Sequence, residues 1–349
     1  MKKKVLLFAY TKVNLGDNLF IYMLLHKYPD VSFFIHSDDE KYKNIYSKFK
    51  NISFLDGERN LYKVKVNEFD AFLYVGGSIF MESEYGFHEM KEFNYFIKKC
   101  KKNNKKFYYM SCNYGPYYSD EYFKLSFKNF ELCDDICFRD KASYELFSKI
   151  SSVRYASDMV FSLKLSNRKK VEKTLGISLI NLEIRDNLKE YTNNYNEFIR
   201  RSIVRFVKKK YKIFIFPFSD FEGDLIAANE ILKKIPSRYH RNITIIGFDN
   251  IDSYLDVYCS MEYMICSRFH SMILSMLSGQ KIYNVIYSDK QSNVINDNSL
   301  FNDYLRIEEI NKKVKLKEKL FSIVDEKKLR KLILDSKHQV DGFDKFINE

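Results

Sequence analysis

The 349-residue sequence has no apolar run approaching the roughly 20 residues that a membrane-spanning helix requires. Its apolar stretches are short, as in Val5-Leu6-Leu7-Phe8 and Ile21-Tyr22-Met23-Leu24-Leu25, and this excludes a helical span. Lys2-Lys3-Lys4 imitates the opening of a signal peptide, but the following run stops at Thr11-Lys12 with no small-residue cleavage site, so a first β-strand is expected instead. Cysteine is sparse. Cys100, Cys112, Cys133, Cys137, Cys259 and Cys266 show no CxxC spacing, and without a secretory signal they are expected to be free, mostly buried thiols in a reducing cytoplasm. HExxH, paired CxxC and EF-hand patterns are missing, and His26, His36, His88, His240 and His338 have no companions at ligand spacing, so no metal is expected. No repeat of fixed period and no low-complexity tract occurs, which sets aside solenoids and prion-like segments.

The chain does hold 46% hydrophobic and 17% aromatic residues, enough for a sizeable core, and its length suits two domains better than one. A net charge of +12 could attract nucleic acid, anionic lipid or an anionic substrate and by itself discriminates none of them. Lys101-Lys102 and Lys208-Lys209-Lys210 fall where helices are expected to end, and there the macrodipole favours cations. Aromatic residues are interleaved with apolar ones rather than with arginines, which argues against a stacking platform for nucleic acid. Asp38-Asp39-Glu40 reads as exposed acids at a helix start rather than a metal motif.

Strand-like runs at 4–9, 31–35, 52–55, 71–75, 107–111, 136–138 and 153–156 alternate with helical stretches such as 18–27, 87–102 and 141–147. The pattern restarts with strands at 177–182, 213–217, 243–247, 263–266 and 282–286. The expected fold is therefore α/β: two doubly wound, Rossmann-like domains with parallel sheets and a cleft between them. The expected domains are 1–165, 166–300 and a C-terminal helical segment 301–349, with the charged stretch 164–174 as the linker. Leu316, Leu320, Ile323, Leu329, Leu332 and Ile333 are spaced as an apolar stripe that would pack the tail on the body. In doubly wound sheets ligands bind beyond the carboxyl ends of the strands, so motifs at strand-to-helix junctions carry the functional expectation.

The sharpest such motif is Cys266-Ser267-Arg268-Phe269-His270-Ser271-Met272-Ile273, after a buried strand and opening a helix that Gly279 ends. Ser267 is the expected N-cap. Arg268 and His270 would then lie at a first turn whose free N–H groups favour an anion. An arginine adds a planar fork for carboxylate or phosphate, and a histidine can give and take protons near neutral pH. An arginine at the surface and a histidine satisfied by a carbonyl is the bland alternative. The loop Val13-Asn14-Leu15-Gly16-Asp17-Asn18 follows the first strand; Gly16 permits close approach, and Asp17 or Asn18 either caps the helix or orients a substrate hydroxyl. It is not a dinucleotide fingerprint, because the second and third glycines of GxGxxG are missing. Gly76-Gly77-Ser78 and Tyr114-Gly115-Pro116-Tyr117 follow two further strands, and the three glycine-bearing loops are expected on one edge of one sheet, as a cleft floor.

With these residues in view, the chain from about 5 to 302 resembles the polysaccharide pyruvyl transferase family. The resemblance lies in the order of Asn14-Leu15-Gly16-Asp17, Gly76-Gly77-Ser78, Tyr114-Gly115-Pro116, Phe138-Arg139-Asp140-Lys141-Ala142-Ser143, Asp158-Met159-Val160-Phe161, Ser267-Arg268-Phe269-His270, and Lys290 after Tyr287. It departs from the family where the glycine triplet is reduced to Gly76-Gly77 before Ser78, and where Ser271, Met272 and Ile273 replace small residues. The resemblance implies a GT-B-like fold and the transfer of pyruvate from phosphoenolpyruvate to a sugar of a cell-surface polysaccharide or its lipid-linked precursor. It implies that Arg268, Phe269, His270 and Lys290 meet the donor and that Arg139 faces the cleft from the other domain. Asp17 is a catalytic candidate on the acceptor side, which would be the N-terminal domain. Phosphoenolpyruvate carries a carboxylate and a phosphate that Arg268, Lys290, Arg139 and a helix N-terminus would neutralise without a metal.

Expected partners are phosphoenolpyruvate and a glycan or lipid-linked oligosaccharide; peripheral contact with the inner membrane face is compatible with the charge, and nucleic acid is not expected. No cofactor beyond the donor substrate is implied. Two other readings compete: a GT-B glycosyltransferase using a nucleotide sugar, and a non-catalytic basic protein binding glycan or nucleic acid.

Overall fold

The computed structural model describes residues 2–57, 59–301, 303–311 and 314–349; Asn302, where the resemblance was expected to end, lies outside them. The chain divides into two compact units. The first comprises Met1–Thr11, Asp17–Leu163 and Leu332–Glu349, and the second comprises Lys12–Gly16 and Lys164–Lys331.

The first unit holds seven parallel strands, β1 (Lys4–Phe8), β2 (Ser32–His36), β3 (Ile52–Leu55), β4 (Ala71–Val75), β5 (Lys106–Cys112), β6 (Asp135–Phe138) and β7 (Val153–Tyr155). Their order is β3-β2-β1-β4-β5-β6-β7, so the direction of winding reverses between β1 and β4. The helices are α1 (Leu15–Lys27), α2 (Glu40–Ile45), α3 (Glu84–Lys102), α4 (Asp120–Phe130) and α5 (Lys141–Phe147). Every residue of β4 is buried, as a strand covered on both faces requires. The high aromatic content goes into this core: the Phe8 ring meets Phe93 and Phe96 edge-on at 5.3 and 5.6 Å and lies parallel to Phe72 and Phe107. Helix α3 starts before the expected position because Ser83 accepts a hydrogen bond from Gly86 N at 2.9 Å, and it buries Met90, Phe93, Phe96, Ile97 and Cys100 on one face.

The second unit holds β8 (Val171–Ser178), β9 (Lys212–Ile215), β10 (Ile243–Ile245), β11 (Met261–Cys266), β12 (Lys281–Ile286) and β13 (Leu305–Arg306), in the order β10-β9-β8-β11-β12-β13. These strands pair with one another in parallel, Ile282 of β12 also forms an isolated antiparallel bridge with Ser322, and the winding reverses between β8 and β11. Its helices are α6 (Thr192–Lys208), α7 (Asp224–Lys233), α8 (Ile251–Cys259), α9 (Phe269–Leu277) and α10 (Asp289–Asp297); α11 (Glu326–Ser336) and α12 (Asp341–Asn348) follow.

Three expectations need correction. The proposed linker 164–174 overlaps β8, whose first residues are charged because they are exposed, not because they are unpaired: Val171 is opposite Met261, with an irregularity before Tyr263. The strand expected to reach 182 ends at Ser178. Residues 301–349 are not one helical segment, since Leu305 and Arg306 form β13 beside β12 and the chain from Leu332 on joins the first unit. Of the apolar stripe, Leu316 and Leu332 are buried, whereas Leu320 and Ile323 are exposed. A polar residue also holds the tail. The Gln339 side chain, fully buried, accepts from Ser111 N at 2.9 Å and donates to Ala156 O and Phe138 O at 2.6 and 3.3 Å, joining the tail to three strand ends. Phe343 adds ring contacts with Tyr28 and Tyr108 at 5.2 and 5.6 Å.

All six cysteines are buried and free. Among the described residues no helix is long and apolar enough to cross a membrane.

Candidate active site

Two clusters of sequence-expected residues form at carboxyl strand ends, one in each unit. In the second unit Arg268 follows β11 directly and so stands at the point where the strand order reverses, the place where open α/β sheets bind ligands. Ser267 is not the helix cap. Its N–H continues the ladder to Ser178 O at 2.9 Å and its hydroxyl bonds the Tyr195 hydroxyl at 2.9 Å, so the extended backbone runs one residue further and Arg268 takes the cap position with no side-chain cap bond.

Arg268 is only 6% exposed. Its Nε donates to Asp224 Oδ2 at 3.0 Å, Nη2 to Asp224 Oδ1, and Nη1 to Glu222 Oε2 at 2.6 Å. At least three of the five N–H donors of the fork are thus held by two carboxylates. Asp224, fully buried, also accepts from Phe218 N and Ser219 N at 3.0 Å each, tying the loop after β9 to Arg268. Gly223 separates the two carboxylates, and its φ of 73° lets them converge. Glu222 bonds Arg185 as well, and the Arg185 guanidinium lies 5.0 Å from the Tyr287 ring centroid. Burial alone would raise the Glu222 pKa, but Arg268 and Arg185 outweigh it and hold the group below the ordinary glutamate value. For Arg268 burial opposes the charge, and Asp224 and Glu222 overcome it.

His270, in the first turn of α9, is half-buried with its ring 5.2 Å from that of Phe269. It packs on the backbone of Gly16, where an added Cβ would come within 2.9 Å of the imidazole Cγ. The segment around Gly16 is drawn to the second unit by backbone bonds from Leu15 N to Phe218 O at 2.8 Å and from Asp220 N to Val13 O at 3.1 Å. Asn14 and Gly16 still follow the carboxyl end of β1, the neighbour of β4 in the first sheet. Asn14 Oδ1 accepts from Gly16 N at 3.0 Å, so the capping bond expected of Asp17 or Asn18 comes from Asn14. Phe269 is buried, and Lys290 is half-buried as the second residue of α10.

The first unit gathers Gly76, Gly77, Ser78, Gly115, Pro116 and Arg139. Arg139 donates to Asp158 Oδ2 at 2.8 Å and to Asn113 Oδ1 at 2.7 Å, and Ser78 Oγ donates to the same Asn113 oxygen at 3.1 Å. Gly77 lies under the guanidinium: a Cβ there would be 2.6 Å from Nη2. Asn113 N bonds Gly77 O at 2.8 Å and Gly115 N bonds Phe80 O at 2.7 Å, so the loops after β4 and β5 are tied together; the Gly115–Pro116 bond is cis. Asp17, half-buried in the first turn of α1, acts through its charge on Tyr42 and Tyr46, whose hydroxyls burial already pushes well above their ordinary pKa.

Sequence reasoning missed Asp224, Glu222 and Arg185, and named Tyr287 only as the landmark before Lys290. The first three lie well beyond the ends of β8 and β9, too far for the strand-end criterion that singled out Arg268. Among the described residues no group of three or more His, Cys, Asp or Glu side chains is placed to hold a metal ion.

Among solved structures, S. aureus MnaA with UDP matches with a TM-score of 0.59 and 11% identity, over 100% of this chain and 97% of that one. The UDP-GlcNAc 2-epimerase of Neisseria meningitidis bound to UDP-GlcNAc gives 0.57 and 11%, over 98% and 100%. Anabaena Alr3699/HepE in complex with UDP-glucose gives 0.54 and 8%, over 99% and 97%. At these identities the likeness concerns the fold, which is α/β with two Rossmann-like domains of the GT-B kind. No curated protein matches. The family model for polysaccharide pyruvyl transferase matches residues 14–289, from the loop that carries Gly16 to the start of α10, and the chain therefore belongs to the polysaccharide pyruvyl transferase family.

Proposed function

We propose that the protein transfers pyruvate from phosphoenolpyruvate to a sugar of a cell-surface polysaccharide or its lipid-linked precursor, closing a ketal across two hydroxyls. The observation that carries this reading is His270 packed on Gly16, next to Arg268, at the switch point of the second sheet of a family member. In the net reaction the methylene carbon gains a proton, C2 bonds two sugar oxygens, and the bond from C2 to the phosphate oxygen breaks. Of the two hydroxyl protons released, one balances the proton taken up by carbon and the other leaves with phosphate.

His270 is the group assigned to moving one of these protons. Because Glu222 and Asp224 already neutralise most of Arg268, the donor anion in this reading is met by the remaining Arg268 N–H groups, by Lys290, and by the first-turn N–H groups of α9. Arg139 orders the loops of the first unit through Asp158 and Asn113. The net charge of +12 supports work beside an anionic membrane face, where a lipid-linked acceptor would reside.

Thermal unfolding with added ligand tests the donor assignment. Phosphoenolpyruvate at a hundred times its Kd stabilises the fold by about 2.7 kcal/mol, whereas UDP-GlcNAc leaves the Tm unchanged. The reverse pattern would overturn the reading in favour of a nucleotide-sugar glycosyltransferase.

A further inference from the structure

The first unit carries a groove of about 710 Å³ outside both clusters, lined by Glu82, Ser83, Glu84, Phe87, His88, Lys91 and Tyr118. Its volume lies within the roughly 300–1,000 Å³ of small-molecule sites. One wall is helical: Glu84, Phe87, His88 and Lys91 follow the i, i+3, i+4, i+7 spacing of a single face of α3, the face opposite the buried Met90, Phe93 and Ile97. The other wall is Tyr118, in the loop after β5, with 80% of its surface exposed.

That exposure is built into the loop. Glu82 accepts from Tyr118 N, from Ser119 N at 2.8 Å and from Ser119 Oγ, and its own N–H bonds Pro116 O at 2.8 Å, so the Tyr118 backbone is fixed on both sides. An aromatic ring held out to solvent at a groove wall offers an apolar face with a polar tip. Facing it are a carboxylate, an imidazole and an ammonium, and together they supply both hydrogen-bond acceptors and donors. Sugar hydroxyls, each both donor and acceptor, match such a set, and the C–H face of a pyranose matches the ring. Two carboxylates against one ammonium give the groove no excess positive charge, so the polyanion attraction suggested by the net charge of +12 does not operate here.

We infer that this groove is a glycan subsite, in which Tyr118 stacks on a sugar ring of the acceptor and Glu84, His88 and Lys91 bond its hydroxyls. The inference rests on the pyruvyl-transfer reading for its choice of glycan, but its test is separate. The sequence has no tryptophan, so Tyr118→Trp places one indole in the groove as a fluorescent reporter while keeping a ring.

Wild type, Tyr118→Ala and Tyr118→Trp are applied to an array of bacterial and synthetic oligosaccharides. Wild type and Tyr118→Trp should bind the same subset, Tyr118→Ala should bind it about tenfold more weakly, and the Tyr118→Trp emission should shift on adding the same sugars. An array that captures none of the three overturns the inference, as does equal binding by Tyr118→Ala. Tyr118-dependent binding to anionic phospholipid vesicles without glycan binding overturns it in favour of a membrane. Phosphoenolpyruvate protection is measured in parallel on wild type and Tyr118→Ala: its absence in both, with glycan binding by wild type that Tyr118→Ala weakens, refutes the donor reading and leaves the subsite standing.

Discussion

The imidazole of His270 rests on the backbone of Gly16, so closely that a side-chain carbon at that glycine would lie within 2.9 Å of Cγ and nearer still to Nδ1. The two residues are far apart in sequence, and backbone bonds from Leu15 to Phe218 and from Asp220 to Val13 hold them together. Replacing Gly16 with Ala would ordinarily favour a helix by roughly 0.5–1 kcal/mol. Here the methyl must displace the imidazole. Gly16→Ala is expected to remain folded by circular dichroism while pyruvyl transfer falls about a hundredfold, the scale of an ångström-sized misplacement of a reacting group. Near-normal turnover would show that the position of the ring does not matter.

The parts of this arrangement differ in how visible they were before the structure. The strand β4 could be read because a parallel strand buried on both faces is a run of apolar residues. Arg268 and His270 could be read because they open a helix after such a strand. The partner of Arg268 could not, because Asp224 lies 44 residues away and looks like any acid at a helix start. Only the folded chain shows that its carboxylate faces inward. One anchor of the tail escaped for a related reason: a search for apolar spacing finds the buried Leu332 but passes over Gln339, an amide that is buried by satisfying three backbone groups.

Glu222 gives a pH dependence of stability. Despite burial, Arg268 and Arg185 hold its folded-state pKa below the ordinary value of 4.5. A depressed carboxyl contributes stability that is complete above its unfolded pKa and is lost as pH falls through the folded one. Wild type should therefore lose Tm on acidification from pH 4.5 downward more steeply than Glu222→Gln, and the two curves should run parallel between pH 6 and 8. Parallel curves across the acid range as well would mean the ion pairs do not stabilise the fold.

Gln339 anchors the chain end to the first unit. Gln339→Leu keeps most of the volume but strips partners from Ser111 N and Ala156 O at buried positions, while Phe138 O keeps its bond from Ala156 N. Leaving buried polar groups unpaired costs about 1–3 kcal/mol each. A drop in urea unfolding free energy of at least about 2 kcal/mol is expected, and under the proposed donor assignment phosphoenolpyruvate binding is retained, since Arg268 and His270 belong to the other unit. A neutral substitution would mean that the other contacts, among them Phe343 with Tyr28 and Tyr108, Arg154 with Gln339 O and Ser157 with Asp335, suffice to hold the tail.

Arg268 and His270 separate by chemistry, and paired variants read their roles independently. Arg268→Lys keeps a cation but loses the planar fork that bonds Asp224 through two nitrogens and Glu222 through a third. An ammonium cannot span both carboxylates in the same geometry, so one of them is left in a buried place without its partner. This variant should lose stability on the scale of a broken buried ion pair, about 3–5 kcal/mol, and also bind phosphoenolpyruvate more weakly. His270→Gln touches none of those bonds. It keeps much of the size of the ring and removes its titration, so its Tm should stay near wild type and donor binding should change little. Turnover should nevertheless fall by roughly 10²–10⁴-fold, with the fall appearing in kcat rather than in the donor KM. If His270→Gln turns over phosphoenolpyruvate and a competent glycoside at the wild-type rate, the proton is moved by another group, and the contact between His270 and Gly16 serves packing alone.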